Sequence, residues 1–121
     1  MFCLVSTASA AQKVQIELKS RNNLKVTEFH RILIEGRKVI VDSMLVDPLA
    51  VPAFVKPLRQ LAQVEKVKDG RCAAGTYTHT VKRGRKVLST TGCLNTDRAA
   101  ILFGAMDVVV EMAEYYSAPT L

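Results

Sequence analysis

The sequence predicts an α+β fold: an antiparallel sheet of about five strands with two helices packed on one face. Three observations carry that expectation. Short runs of alternating apolar and polar residues, bounded by turn residues, read as antiparallel strands. The tetrapeptide Gly-Arg-Lys-Val occurs at Gly36–Val39 and again at Gly84–Val87, both times where one strand turns into the next. Each return strand then runs into a helical pattern, so the chain reads as one leading strand followed by two ββα repeats in a shared sheet.

The leading strand, Lys13 to Lys19, alternates strictly, with Val14, Ile16 and Leu18 inward. Ser20 to Asn23 turns the chain, and Leu24 to Ile34 forms a second strand. Its inward face is ambiguous, with Val26 and Ile32 on one face and Phe29, Arg31 and Leu33 on the other, which predicts a bulge or twist near Phe29. Arg37 to Leu45 is a third strand, with Val39, Val41 and Ser43 on one face. After Asp47-Pro48 a short irregular helical piece is expected, then a firmer helix from about Pro52 or Ala53 to Val64, burying Phe54, Val55, Leu58 and Leu61. It should kink at Pro57, because an internal proline removes a hydrogen bond and clashes with the preceding turn.

The stretch from Arg71 to Ala113 organises the rest. Gly75–Val81 and Arg85–Thr91 form a hairpin whose loop, Lys82-Arg83-Gly84, takes Gly84 at positive φ in its last position. That loop pairs Val81 with Arg85 and sets Cys72 within one residue of Cys93, so a disulfide is reachable. The bond would close a loop of roughly 20 residues, worth about 3 kcal/mol in the chain-entropy account. The same register sets His79 near Val87 and about 20 Å from Cys93, too far for a Cys–His dyad. Beyond Cys93, Asn95 or Thr96 caps a helix from Asp97 to Tyr115. On it Asp107, Glu111 and Glu114 fall in line with Ala100 and Gly104, leaving a narrow acidic stripe for water and the rest of the circumference for burial.

At 121 residues, 49% hydrophobic and with a net charge of +6, residues 12–121 make one globular domain with room for a core. The charge permits anionic partners. No apolar run approaches the ~20 residues of a membrane span. Residues 1–11 read as a signal-peptide remnant or a disordered tail, with Ala8-Ser9-Ala10 as the cleavage site, although no Lys or Arg precedes Phe2 and the apolar run is short. Removal of residues 1–10 takes away Cys3 and leaves the even pair Cys72 and Cys93, the pattern of an oxidised domain. An extracytoplasmic location, periplasmic or secreted, is therefore expected.

Catalytic signatures are sparse. His30 and His79 both fall in strands and read as partly exposed, and no H-E-x-x-H, G-x-S-x-G or P-loop pattern occurs. Asp107 and Glu111 have no histidine on their helix to complete a site. No cofactor or metal is expected. The cations around one glycine, Lys82, Arg83, Gly84, Arg85 and Lys86, form the candidate binding tip, with Arg37 and Lys38 at the other hairpin. The expectation is a small exported, disulfide-stabilised, non-catalytic binding module, an inhibitor or accessory protein that presents this tip to another protein or an anionic surface ligand. The alternatives are a polyanion-binding protein and a small enzyme with an unrecognised site. Nucleic acid is disfavoured, since Tyr77 alone offers a stacking surface in the hairpin. Self-association through the apolar last helix is a further option.

Overall fold

In the computed structural model, which describes residues 13–117, the chain runs through six strands and two helices. These are β1 (Lys13–Asn22), β2 (Thr27–Glu35), β3 (Lys38–Val41), β4 (Met44–Leu45), a 3-10 turn (Val51–Phe54) leading into α1 (Val55–Leu61), β5 (Gly75–Arg83), β6 (Lys86–Cys93) and α2 (Asp97–Tyr115). All strands lie in one antiparallel sheet of order β4-β3-β2-β1-β5-β6. The fold is thus α+β, as its alternating strands and capped last helix predict. Residues 1–11, read as a leader or tail, lie outside the described residues.

Period-two alternation puts Ile16, Leu18, Ile32, Val39, Val41, Tyr77, His79 and Val81 on one sheet face, all buried. Phe54, Leu58 and Leu61 cover that face together with Leu102, Met106, Val109 and Ala113 of α2. Each such side chain contributes about 1.5–3 kcal/mol when fully buried. Among the described residues no helix covers the opposite face, where Lys13, Gln15, Glu17 and Lys19 of β1 alternate with the core positions.

Several expectations are corrected. β2 pairs with β1 without interruption from Thr27 to Glu35, so there is no bulge at Phe29; that ring lies on the uncovered face. The third strand is two, β3 and β4, separated by Asp42 and Ser43 at φ 47° and 72°. Positive φ at both loop residues is what a two-residue I′ hairpin needs, and Asn-Gly normally supplies it. α1 ends at Leu61, short of Val64, and Val55 is 46% exposed. Pro57 needs no kink because it sits in the first helical turn, where N–H groups lack intrahelical partners anyway. α2 has the expected bounds, with the Thr96 hydroxyl accepting the Ala99 N–H at 3.2 Å. Its acidic stripe is exposed, but so are Ile101 and Val108, which line a shallow groove of about 390 Å³ against Lys56, Pro57 and Gln60. The burial of α2 is one face rather than most of its girth.

The β5–β6 register differs by three from the expected one: Arg83 pairs with Lys86 and Val81 with Leu88. The loop is therefore Gly84-Arg85, with the glycine first at φ 58°. Cys93 ends β6 opposite Thr76, and Cys72 lies in the loop before β5. The disulfide between them forms all the same, with Cα atoms 4.9 Å apart. A turn closed by the Gly75 N–H on the Cys72 carbonyl at 3.2 Å brings the loop back to the strand end. Gly75, at φ 118°, passes so close to β1 that a Cβ there would collide with the Arg21 carbonyl oxygen. His79 now pairs with Thr90, three residues from Cys93 or about 10 Å, so distance no longer argues strongly against a dyad. The bonding of Cys93 does.

The two hairpins with Gly-Arg-Lys-Val sequences open on opposite sides of β1, yet β2 and β5 run the same way and both helices cover the same face. No rotation or translation superimposes such units. The shared tetrapeptide is one turn chemistry used twice, not a duplicated ββα fold.

Candidate functional site at the basic end of the sheet

β1 is antiparallel to both β2 and β5, so the far ends of those strands meet at its start. Lys13 pairs with Glu35 on one side and Val14 with Arg83 on the other. Both strands then turn through a two-residue loop, Gly36-Arg37 and Gly84-Arg85, each with glycine first at positive φ, 63° and 58°. The N–H of Gly84 donates to the Lys13 carbonyl at 3.1 Å, tying one tip to the strand between them. With strands about 4.8 Å apart, the two loops, each centred between its own pair of strands, stand roughly 14 Å from each other.

The end so formed gathers Lys13, Arg37, Lys38, Lys82, Arg83, Arg85 and Lys86; all but the half-buried Lys82 are exposed. Among the described residues only Lys13 of this group is ion-paired, to Glu35 at 3.3 Å. The other nearby carboxylate, Asp47, accepts the N–H of Leu49 at 3.0 Å in its own turn. Arg guanidinium forks and Lys ammonium groups in this state suit phosphate, sulfate or carboxylate oxygens.

Within the predicted tip the roles divide. Gly84 and Arg85 are the loop, Lys82 lies on the uncovered face between Gln15 and Val87, and Lys86 lies opposite Arg83 on the helix side. Arg83 reaches back to the Ala62 carbonyl at the end of α1, 3.4 Å away, where a cation also suits the helix dipole. Arg37 and Lys38 belong to the same end rather than to a separate feature. Lys13 is a member that sequence reasoning missed, since its place depends on β1 pairing with both neighbours.

Two histidine environments were also hidden. His30 faces the helix side, its Nδ1 2.7 Å from Asp42 Oδ2, while Asp42 Oδ1 accepts the Arg31 N–H at 2.8 Å. An imidazole oriented by a carboxylate is half of a nucleophile-activating relay. Here, however, Nε2 looks at Glu28 Oε2, 3.6 Å away, not at a hydroxyl or thiol. No three His, Cys, Asp or Glu side chains converge closely enough for a metal ion among the described residues. The arrangement pins the strained Asp42–Ser43 turn. His79, expected to be partly exposed, is buried; its Nε2–H donates to the Leu61 carbonyl at 2.7 Å, and burial lowers its pKa. Its Nδ1, the Tyr77 hydroxyl and Arg98 Nε are buried without a hydrogen-bond partner among the described residues.

The uncovered sheet face carries a groove of about 310 Å³ over Phe29, Arg31, Leu33 and Ile40, with the Arg31 guanidinium 5.4 Å above the Phe29 ring and its Nε 3.2 Å from Glu17. Asp42 and Ser43 of the β3–β4 turn complete the lining of this groove. No protein-family model, curated protein or solved structure matches the chain at a significant level. Among the described residues no helix is long and apolar enough to cross a membrane.

Proposed function

We propose that the chain is an exported, disulfide-stapled, non-catalytic binding module that engages an anionic partner through the basic end of its sheet. The observation that carries this reading is the meeting of two Gly-Arg-Lys hairpins on either side of Lys13. The Cys72–Cys93 bond supports export, because such bonds persist in oxidising compartments. A hairpin inserted into a partner's cleft, as an inhibitor would insert it, is favoured less. A two-residue loop projects little beyond its strands, and a second tip stands beside it. A broad contact with a negatively charged surface fits better.

The test is partner capture and retention on a sulfated resin by the wild type and by Arg85→Glu/Lys86→Glu, both exposed. Retention should fall steeply with salt and be lost in the variant. Unaltered capture by the variant, with unchanged urea stability, would remove the reading.

A further inference from the structure

Resting on the reading of the basic end as the binding surface, we infer that its partner is a linear polyoxyanion, a sulfated or phosphorylated polymer, that lies across the strand ends and touches both hairpin tips at once. The cations spread along the end of the sheet, Lys13 and Lys38 on its uncovered face, Arg83 and Lys86 on its helix side, and Arg37 and Arg85 in the loops. They follow the strand order β3, β2, β1, β5, β6: Lys38 and Arg37, then Lys13, then Arg83 and Arg85, then Lys86. Four interstrand spacings make the spread about 19 Å long.

A single phosphate or one carboxylate side chain covers one tip only. A chain of repeated charges covers both, and its second contact is intramolecular, which raises affinity without new chemistry. The spacing is also fixed in advance. The loops have two residues each, Gly84 is bonded to Lys13, and β1 holds β2 and β5 at a set distance, so little ordering is needed on binding. The tips themselves, Gly36-Arg37 and Gly84-Arg85, offer no apolar side chain to wedge into a lipid surface. An exposed apolar residue of this end, Val87, lies on β6 opposite Lys82, back from the loop itself.

The experiment titrates the full chain with sulfated oligosaccharides of graded length, with inorganic polyphosphate and with phosphatidylserine vesicles, using two variants, Arg37→Glu/Lys38→Glu and Arg85→Glu/Lys86→Glu. Affinity should rise with oligomer length until the chain spans about 20 Å and then level off. Each double reversal should weaken binding at least about tenfold and flatten the plot of log K against log salt by about one to two units. Preference between sulfate and phosphate chains identifies the source of the polymer. Affinity independent of length, or sensitivity to one tip alone, overturns the linear mode and leaves the basic end as the binding surface. Indifference to both reversals overturns that surface as well, and binding to vesicles without binding to free oligomers overturns the polymer.

Discussion

Tyr77 faces Gly92 across the β5–β6 ladder, and the ring occupies the space a side chain at Gly92 would need. A Cβ there would stand 2.7 Å from Tyr77 Cε2 and 2.8 Å from Asp69 Oδ2. Neither neighbour yields easily: the ring is buried edge-on to Phe103, and Asp69 accepts the Cys93 N–H at 2.7 Å. Gly92→Ala should therefore cost about 1–3 kcal/mol in urea unfolding, as overpacking does. In a double-mutant cycle with Tyr77→Leu the two costs should fall short of additive, because the smaller side chain frees the space. Strict additivity would show that the ring is not what the new methyl meets.

The hydroxyl of that tyrosine behaves differently from its ring. It is buried with no hydrogen-bond partner among the described residues, and burial, helped by the Asp69 carboxylate, pushes its pKa up. A buried hydroxyl without a partner has lost its water at a cost of about 1–3 kcal/mol. Tyr77→Phe should leave stability unchanged or raise it. A loss above about 1 kcal/mol, measured by the same unfolding curves, would show that the hydroxyl is bonded.

The Cys72–Cys93 bond spans 21 residues and holds the loop before β5 to the end of β6. Loop-closure entropy assigns it about 3 kcal/mol. Reduction, or Cys72→Ser/Cys93→Ser, should lower the unfolding free energy by about that amount, and the intact mass should rise by about two protons on reduction. An unchanged urea midpoint after complete reduction would mean that contacts around Asp69 and Cys93, not the bond, fix the strand end.

How much of this was legible depends on where each signal resides. β1 and α2 were readable because strict alternation and a threonine cap are local properties of the chain. The β5–β6 register was misread by placing Gly84 last in its loop. The other copy of the tetrapeptide turns the same way, since Glu35 pairs with Lys38 around a loop that also begins with glycine. Glycine suits either the first position of a two-residue loop or the last of a three-residue one, so neither copy marks the register. The Asp42–Ser43 turn left no such trace: it lacks the usual glycine and depends on bonds from Arg31 and His30, distant in sequence. His79 reads as a partly exposed residue until Leu61 ends α1 above it and offers a carbonyl. In the candidate site the cations were visible one by one. Their convergence was not, because it follows from the long-range pairing of β1 with β2 and β5.

Burial of His79 makes stability pH-dependent with a definite sign. Desolvation disfavours its charged form and lowers its pKa below the ordinary 6.5, a trend the Leu61 bond opposes and Arg98 reinforces. The unfolded chain therefore binds the proton first as pH falls. The contribution is complete above about 6.5 and declines below it, by at most about 1.4 kcal/mol per pH unit, until the folded state also takes up the proton. His79→Gln keeps an N–H for Leu61 but cannot titrate. The difference between wild-type and variant unfolding free energies should change between pH 8 and pH 5 in the direction of wild-type loss at low pH. A difference constant over that range would mean that His79 is charged or hydrated in the folded protein.

At Asp42 the side chain and the backbone make separable contributions. The carboxylate accepts from the Arg31 N–H at 2.8 Å and meets His30 Nδ1 at 2.7 Å, while the residue itself sits at φ 47°. Hydrogen bonds to a charged group contribute about 1.5–3 kcal/mol. A left-handed conformation costs most L-residues about 1–2 kcal/mol, but asparagine tolerates it and glycine avoids the penalty. Asp42→Asn keeps an oxygen for Arg31 and the turn preference, so it should lose least, through His30 alone. Asp42→Gly loses both side-chain bonds but relieves the backbone, and Asp42→Ala loses both bonds and keeps the strain. The expected order of unfolding free energy is therefore Asp, Asn, Gly, Ala, with about 1 kcal/mol between the last two. If alanine were as good as glycine, the turn would not hold its positive φ in solution. If alanine were as good as asparagine, the carboxylate would not be what fastens β3 and β4 to β2.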